Sequence, residues 1–206
     1  MSTVALTHIP LAQRARNILF RPRQEWDIIA AEDTPAKALY LRYILPLAAI
    51  GPVAAFIRDS IFGVSIPLVG HYRIPIGSGI AEAVVAYALT LIGVYVLAFV
   101  IAELAMAFGG EKSLPQALKV AAYSSTPVWV AGVLHLVPLL GILILFAGIY
   151  SLYLLYLGLP PLMRAPREKS VGYTLGVIVA AIVIYIVIGV IAGSLVTLPT
   201  ASFTIG

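Results

Sequence analysis

The chain is 206 residues long, 61% hydrophobic and only 11% charged, with a formal net charge of +4 and a mean hydropathy of +1.03. Soluble domains carry roughly 45 to 50% apolar residues, so this composition excludes a water-soluble globular protein and makes lipid the solvent. With no cysteine in the chain, disulfides, thiol nucleophiles and cysteine-ligated metals are excluded as well.

From the N-terminus, residues 1–38 read as a cytoplasmic arm. They lack the basic start, short apolar core and small-residue cleavage site of a signal peptide, so no leader removal is expected. In LAQRARNILF, Leu11, Ala15, Ile18 and Leu19 recur at i, i+4, i+7 and i+8, the apolar face of one amphipathic helix. Such a helix either lies in the membrane interface or packs on the cytoplasmic ends of the bundle. In the first case Arg14, Arg16, Arg21 and Arg23 meet lipid headgroups, each charge contributing about 1 kcal/mol at an anionic surface. Pro22 suits the first turn of a second helix, with Glu25 and Asp27 near its positive end and Trp26 as an interface anchor against headgroups. Thr34 and Pro35 supply an N-cap and a first position for the helix that follows.

Five apolar runs of about 20 residues come next, which is the length a spanning helix needs. They occupy 39–57, 80–108, 116–136, 138–158 and 172–198, and define a transmembrane domain over 39–198 followed by a short outer tail, 199–206. The expected fold is all-α, a polytopic five-helix membrane bundle with an amphipathic interfacial helix at its start. Between the first two runs, Val64, Ile66 and Leu68 alternate, as do Tyr72, Ile74 and Ile76, around Gly70 and His71. That is a small β-hairpin pattern, and Pro67 and Pro75 confine both strands to edge positions. Gly109 and Gly110 end the second run, and Ser113 with Gln116 makes a capping-box pattern that starts the third. Loops this short, there and at His135 to Pro138, force the second, third and fourth helices to be antiparallel neighbours. In the fifth run Gly172 with Gly176, and Gly189 with Gly193, form two G-x-x-x-G pairs. Small residues so spaced admit a close helix, either within the chain or across a homo-oligomer face.

Charge sets the orientation. With the N-terminus in the cytoplasm, eleven of the 13 Lys and Arg residues fall in inner segments, and only Arg58 and Arg73 fall outside. This is a positive-inside distribution for an inward N-terminus and an outward C-terminus.

The third run is the chemically unusual one, because AAYSSTPV places three hydroxyls and a proline in an apolar stretch. At 1.5 Å per residue, Glu103, Lys119, Tyr123 and Tyr153 all fall within about 5 to 11 Å of the inner boundary. Lys119, Tyr123 and Thr126 form an i, i+4, i+7 stripe. Pro127 cannot donate to the carbonyl of Tyr123, so the hydroxyls of Ser124, Ser125 and Thr126 either satisfy it or line a polar opening. Two readings stand. One is a satisfied kink, with the serines bonded back to their own helix and Glu103 paired with Lys119. The other is an inward-facing polar cavity charged by Glu103, walled by Tyr150 and Tyr153, and able to hold a lipid headgroup, an ion or a small solute.

Catalysis finds little support. The histidines are His8, His71 and His135, and no zincin, nucleophile-elbow or phosphate-loop pattern occurs. Ser125 and His135 on one helix would stand about 15 Å apart, too far for a nucleophile and its base. No metal, cofactor or nucleic-acid partner is expected.

The segments NILFRPRQEWDIIAAED, LPQALKVAAYSSTPV, PLLG and YSLYLLYLGLPPLM together resemble the bacterial branch of the Ypt/Rab-interacting (Yip) family, and the likeness covers nearly the whole chain. The family's Gly-Tyr-x-x-x-Pro element maps onto Tyr123 and Pro127, with Ala122 in place of the glycine. Its eukaryotic Asp-Leu-Tyr-Gly-Pro element and long N-terminal arm are absent, the corresponding region reading LYLRYILPLAAIGP. The resemblance implies five spans, a cytoplasmic N-terminus in a bacterial inner membrane, and a non-enzymatic part in membrane organisation or as an adaptor. A transporter or channel, or a lipid-binding or lipid-moving protein, is the alternative. Expected partners are membrane lipids, another copy of the chain, and a membrane or cytoplasmic protein.

Overall fold

Two short helices lead into the membrane domain in the computed structural model, which describes residues 9–66 and 70–195. Helix α1, Leu11–Phe20, turns at Arg21 into α2, Pro22–Ala31, with Pro22 at the position where a missing N–H is harmless. The apolar face of α1 is not free: Ala15 and Ile18 are buried, as are Trp26 and Ile29 of α2. Both helices pack on the bundle, the second of the two placements that the periodicity allowed.

Helix α3, Ala36–Phe62, is the first stretch long and apolar enough to cross a membrane. It starts after Pro35, and no side chain caps it, so Thr34 does not play the expected role. The helix widens into π-type turns at Tyr40–Ile44 and Ile57–Phe62. Pro46 explains the first, since it offers no N–H to the carbonyl of Arg42, and the N–H of Leu45 bonds back five residues to the carbonyl of Tyr40. Beyond Gly63, whose φ is 74°, strands β1, Val64–Ile66, and β2, Gly70–Tyr72, pair antiparallel with Ser65 opposite His71.

Helix α4, Ile76–Ala107, ends in two glycines. The N–H groups of Gly109 and Gly110 bond back to the carbonyls of Met106 and Ala105, and Gly109 takes the left-handed φ of 76° that this helix ending requires. After it come α5, Leu114–Ser124, and α6, Thr126–Ala131, then 3-10 turns at Gly132–Leu136 and Pro138–Gly141. Ser113 occupies the N-cap of α5 but makes no side-chain cap, and Gln116 Oε1 is buried without a partner, so the capping box does not form. Helix α7, Ile142–Met163, and helix α8, Ser170–Leu195, complete the chain described.

Among the described residues four stretches are long and apolar enough to span a membrane: Ala36–Phe62, Ile76–Ala107, Leu139–Met163 and Arg167–Gly193. The other expected span, 116–136, is not among them, because it is not one continuous helix. It breaks at Ser125, where Pro127 interrupts the ladder, and narrows from Gly132 onward. A Cβ on Gly132 would stand 2.8 Å from the Cα of Gly51, so the tight approach of this segment to α3 depends on glycine.

The interior is built around α5, whose residues Ala117 to Ser124 are all buried. Ala98, Ile101, Ala102 and Ala105 of α4 are buried as well. Small side chains let the helices approach closely where no hydrophobic effect drives them together. The tail 199–206 lies outside the described residues.

Candidate functional site

The third-run hydroxyls settle their own helix. Thr126 Oγ1 donates to the carbonyl of Tyr123 at 2.8 Å, the acceptor that Pro127 leaves without a helix donor. Ser125 and Ser124 donate to the carbonyl of Ala121 at 2.8 and 3.3 Å. Tyr43 of α3 meets Thr126 Oγ1 at 2.7 Å, so with the threonine proton committed to the carbonyl, the tyrosine is the donor. The kink is thereby tied to α3 in a buried place.

Around Tyr123 the N-terminal arm closes the structure. The Tyr43 ring lies 4.6 Å from that of Tyr123, Trp26 meets its edge at 6.2 Å, and the guanidinium of Arg14 stands 5.9 Å above it. Arg14 is only 6% exposed and donates to Glu25 at 2.5 Å and to Glu32. Burial weighs against its charge, yet the bond to Glu32 and the neighbouring carboxylates outweigh that, and the guanidinium is held above its ordinary pKa.

Lys119 is 2% exposed and reaches the carbonyls of Ile29, at 3.2 Å, and Glu32. It thus caps the C-terminal end of α2, where unbonded carbonyls and the helix dipole favour a cation. The expected pair of Glu103 with Lys119 does not form. Glu103 is half-exposed and pairs with Lys112 at 2.6 Å, the cation that the short α4–α5 loop puts nearest to it.

A cavity of about 380 Å³ does open beside Tyr123, between Arg14, Glu32, Asp33, Arg42 and Tyr43. It lies under the arm, and neither Glu103 nor Lys119 lines it, so the charge assigned to it in the sequence is corrected to Arg14 and the arm's carboxylates. Tyr150 and Tyr153 do not line it either. Tyr150 donates to the carbonyl of Leu19 at 2.6 Å, and Tyr153 borders a separate groove with Phe20, Arg21 and Arg23.

The proposed lipid contacts divide in two. Arg16, Arg21 and Arg23 are exposed, whereas Arg14 and Trp26 are buried against protein and not set in the headgroup layer as anchors. Gly158 makes room for the indole, since a Cβ there would stand 2.7 Å from the Trp26 ring. The glycine pairs divide likewise. Gly172 and Gly176 pack on Phe108, the residue just past α4, while among the described residues nothing lies within 4 Å of where a Cβ on Gly189 or Gly193 would stand. Sequence reasoning missed Glu25, Glu32 and Tyr43. The spacing of Glu25 and Glu32, seven residues, was the available signal, because it puts both on one helical face. Among the described residues no group of three or more His, Asp and Glu side chains is placed to hold a metal.

A family model described as the Yip1 domain matches residues 16–191, a region that begins inside α1, takes in the kink and the first three spans, and ends within the fourth. The chain belongs to the Yip1-domain family. The Inner membrane protein YohC of Escherichia coli strain K12 is 29% identical over 156 residues, covering 74% of this chain and 80% of that protein. The protein of the same name from Escherichia coli O6:H1 matches with the same identity and coverage. No solved structure matches the chain. In this Yip1-domain protein Tyr123 is the centre of the aromatic cluster and Pro127 the cause of the kink.

Proposed function

We propose that this Yip1-domain protein is a non-enzymatic inner-membrane scaffold that presents its N-terminal helix pair, as a fixed platform, to a cytoplasmic or membrane protein partner. One observation carries the reading. Buried ion pairs of Arg14 with Glu25 and Glu32 lock α1 to α2, Lys119 and Tyr150 of the bundle bond to the pair's carbonyls, and the outer side of the pair stays exposed, with Arg16, Arg21, Arg23 and a Phe20 that is 77% exposed. A large apolar side chain ringed by cations at a fixed height is a recognition feature rather than a packing one. In this reading the broken 114–141 stretch is a fifth crossing, the N-terminus is cytoplasmic and the C-terminus lies outside. The exposed glycines Gly189 and Gly193 are a site for a second copy.

A photo-crosslinking residue in place of Phe20, activated in intact cells and followed by mass spectrometry of the adduct, tests the platform. A defined protein adduct, lost in Arg21→Glu, is the expected result. Adducts confined to lipid would replace the scaffold by a lipid-binding protein. Ion or solute flux in liposomes that depends on the Tyr123 cavity would replace it by a transporter.

A further inference from the structure

A second cleft, of about 790 Å³, lies between α2 and the junction of α7 with α8 and shares no lining residue with the Tyr123 cavity. Its walls carry three arginines from two parts of the chain, Arg23 on α2 and Arg164 and Arg167 in the junction, against a single carboxylate, Asp27. The junction joins the ends of two stretches long and apolar enough to span a membrane, Leu139–Met163 and Arg167–Gly193, and the ends of spanning helices are where headgroups are expected. We propose that this cleft binds the phosphate of a membrane phospholipid, with Arg23, Arg164 and Arg167 as its anion ligands.

Three independent observations bear on the assignment. Arg164 ends α7 in the left-handed conformation, φ 49° and ψ 33°, and is the only such non-glycine residue among those described. Helices that end this way use glycine, or asparagine, because any other side chain is strained there. An arginine at a position that prefers glycine calls for a reason in its side chain, and strain of this kind gathers at binding sites. Its bond to Glu111, at 2.9 Å, joins two groups that are 73% and 64% exposed in their side chains, too wet a pair to account for the strain.

The second observation is Trp26, which lines the cleft while its indole N–H is buried with no acceptor among the described residues. Buried donors without partners are rare, and each calls for an acceptor that the bare chain does not supply. A phosphate oxygen is such an acceptor. The third lies in the floor, where Pro160 and Pro161 deny the carbonyls of Tyr156 and Leu157 their usual helix donors. Those two carbonyls suit the hydroxyl or ammonium group of a phosphatidylglycerol or phosphatidylethanolamine headgroup. Past the cleft, Val171 and Leu175 of α8 are exposed and offer an apolar path for acyl chains. The proposal rests on the membrane reading above but not on the scaffold role, and the crosslink at Phe20 and the lipid measurement fail separately.

The test uses the full chain with Trp129→Phe, which leaves Trp26 as the sole tryptophan. Short-chain phosphatidylglycerol, short-chain phosphatidylcholine and glycerol phosphate are titrated in detergent while Trp26 emission is followed, and lipid retention is counted by native mass spectrometry. Phosphatidylglycerol should shift the emission saturably, and retention should fall about fivefold for each arginine removed in Arg23→Gln, Arg164→Gly and Arg167→Gln. Arg164→Gly is the discriminating variant, because it relieves the backbone while deleting the guanidinium: thermal stability should hold or rise while lipid is lost. Lys37→Gln removes an equal charge from the arm side and should leave retention unchanged. An equal shift with glycerol phosphate would overturn the lipid assignment in favour of a soluble phosphate ester. Equal retention in the folded arginine variants, or an equal loss in Lys37→Gln, would overturn the site itself.

Discussion

Helices α5 and α8 belong to one membrane domain and have opposite surroundings. From Ala117 to Ser124 every residue of α5 is buried, whereas α8 exposes Val179, Ile182, Val183, Ile186 and Val190 to the outside. The difference follows from side-chain chemistry. The α5 sequence LPQALKVAAYS mixes small residues, which allow close helix contact, with a lysine and hydroxyls that need partners. Branched aliphatics along α8 need none and are as comfortable in lipid as against protein. In a membrane the polar, small-residue helix goes to the centre and the most hydrophobic one to the rim, the reverse of the order in water.

That contrast can be broken first at its charges. Arg14→Met would leave Glu25 buried with no cation, and loss of one partner of a buried pair costs about 3 to 5 kcal/mol. Reversible denaturation in mixed micelles should show a loss of that size, the largest of the series. Gly158→Val comes next. Its Cβ would meet the Trp26 ring at 2.7 Å, and overpacking of this kind costs about 1 to 3 kcal/mol. The same variant should move Trp26 emission, since the indole must shift.

Thr126→Val removes the hydroxyl that serves both the Tyr123 carbonyl and Tyr43. Losing these buried bonds costs about 1 to 2 kcal/mol by the same denaturation, and infrared spectra of isotope-labelled Tyr123 should shift as its carbonyl loses the threonine donor and keeps the N–H of Ser125. The smallest effect belongs to the rim. Gly189→Ile, in open space, should change stability by less than about 0.5 kcal/mol. A smaller assembly in light scattering, with the fold intact, would sharpen the contrast by assigning that face to a second copy. A loss as large as that of Gly158→Val would place Gly189 in a packed interior and break it.

Much of this is legible in residues, for a stated reason. The hydroxyl bonds at the kink are local, so Pro127 and its neighbours suffice to anticipate that Thr126 or a serine serves the Tyr123 carbonyl. The left-handed Gly109 is legible on the same ground. The partner of Lys119 is not, because helical periodicity orders faces within one helix and says nothing about which distant helix end docks there. Matched depth made Glu103 a plausible partner, yet the docking of α2 puts the carbonyls of Ile29 and Glu32 nearer, and Lys112 takes Glu103. The break at Ser125 escapes a hydropathy window, which averages across a single interrupted turn. Arg14 and Trp26 read as surface residues for a similar reason: an amphipathic face shows that something is buried, not whether lipid or protein buries it.

The central claim is that the N-terminal helix pair is part of the folded bundle, held by Arg14, Glu25, Glu32 and Lys119, and does not float on lipid. Hydrogen exchange of residues 11–31 in lipid nanodiscs, compared between the parent and Glu25→Gln, tests it most directly. The account predicts slow exchange in the parent and at least about a tenfold acceleration across both helices in the variant, with α4 and α7 unchanged. An interfacial helix draws its protection from lipid and is indifferent to Glu25, so identical exchange in the two proteins would contradict the account.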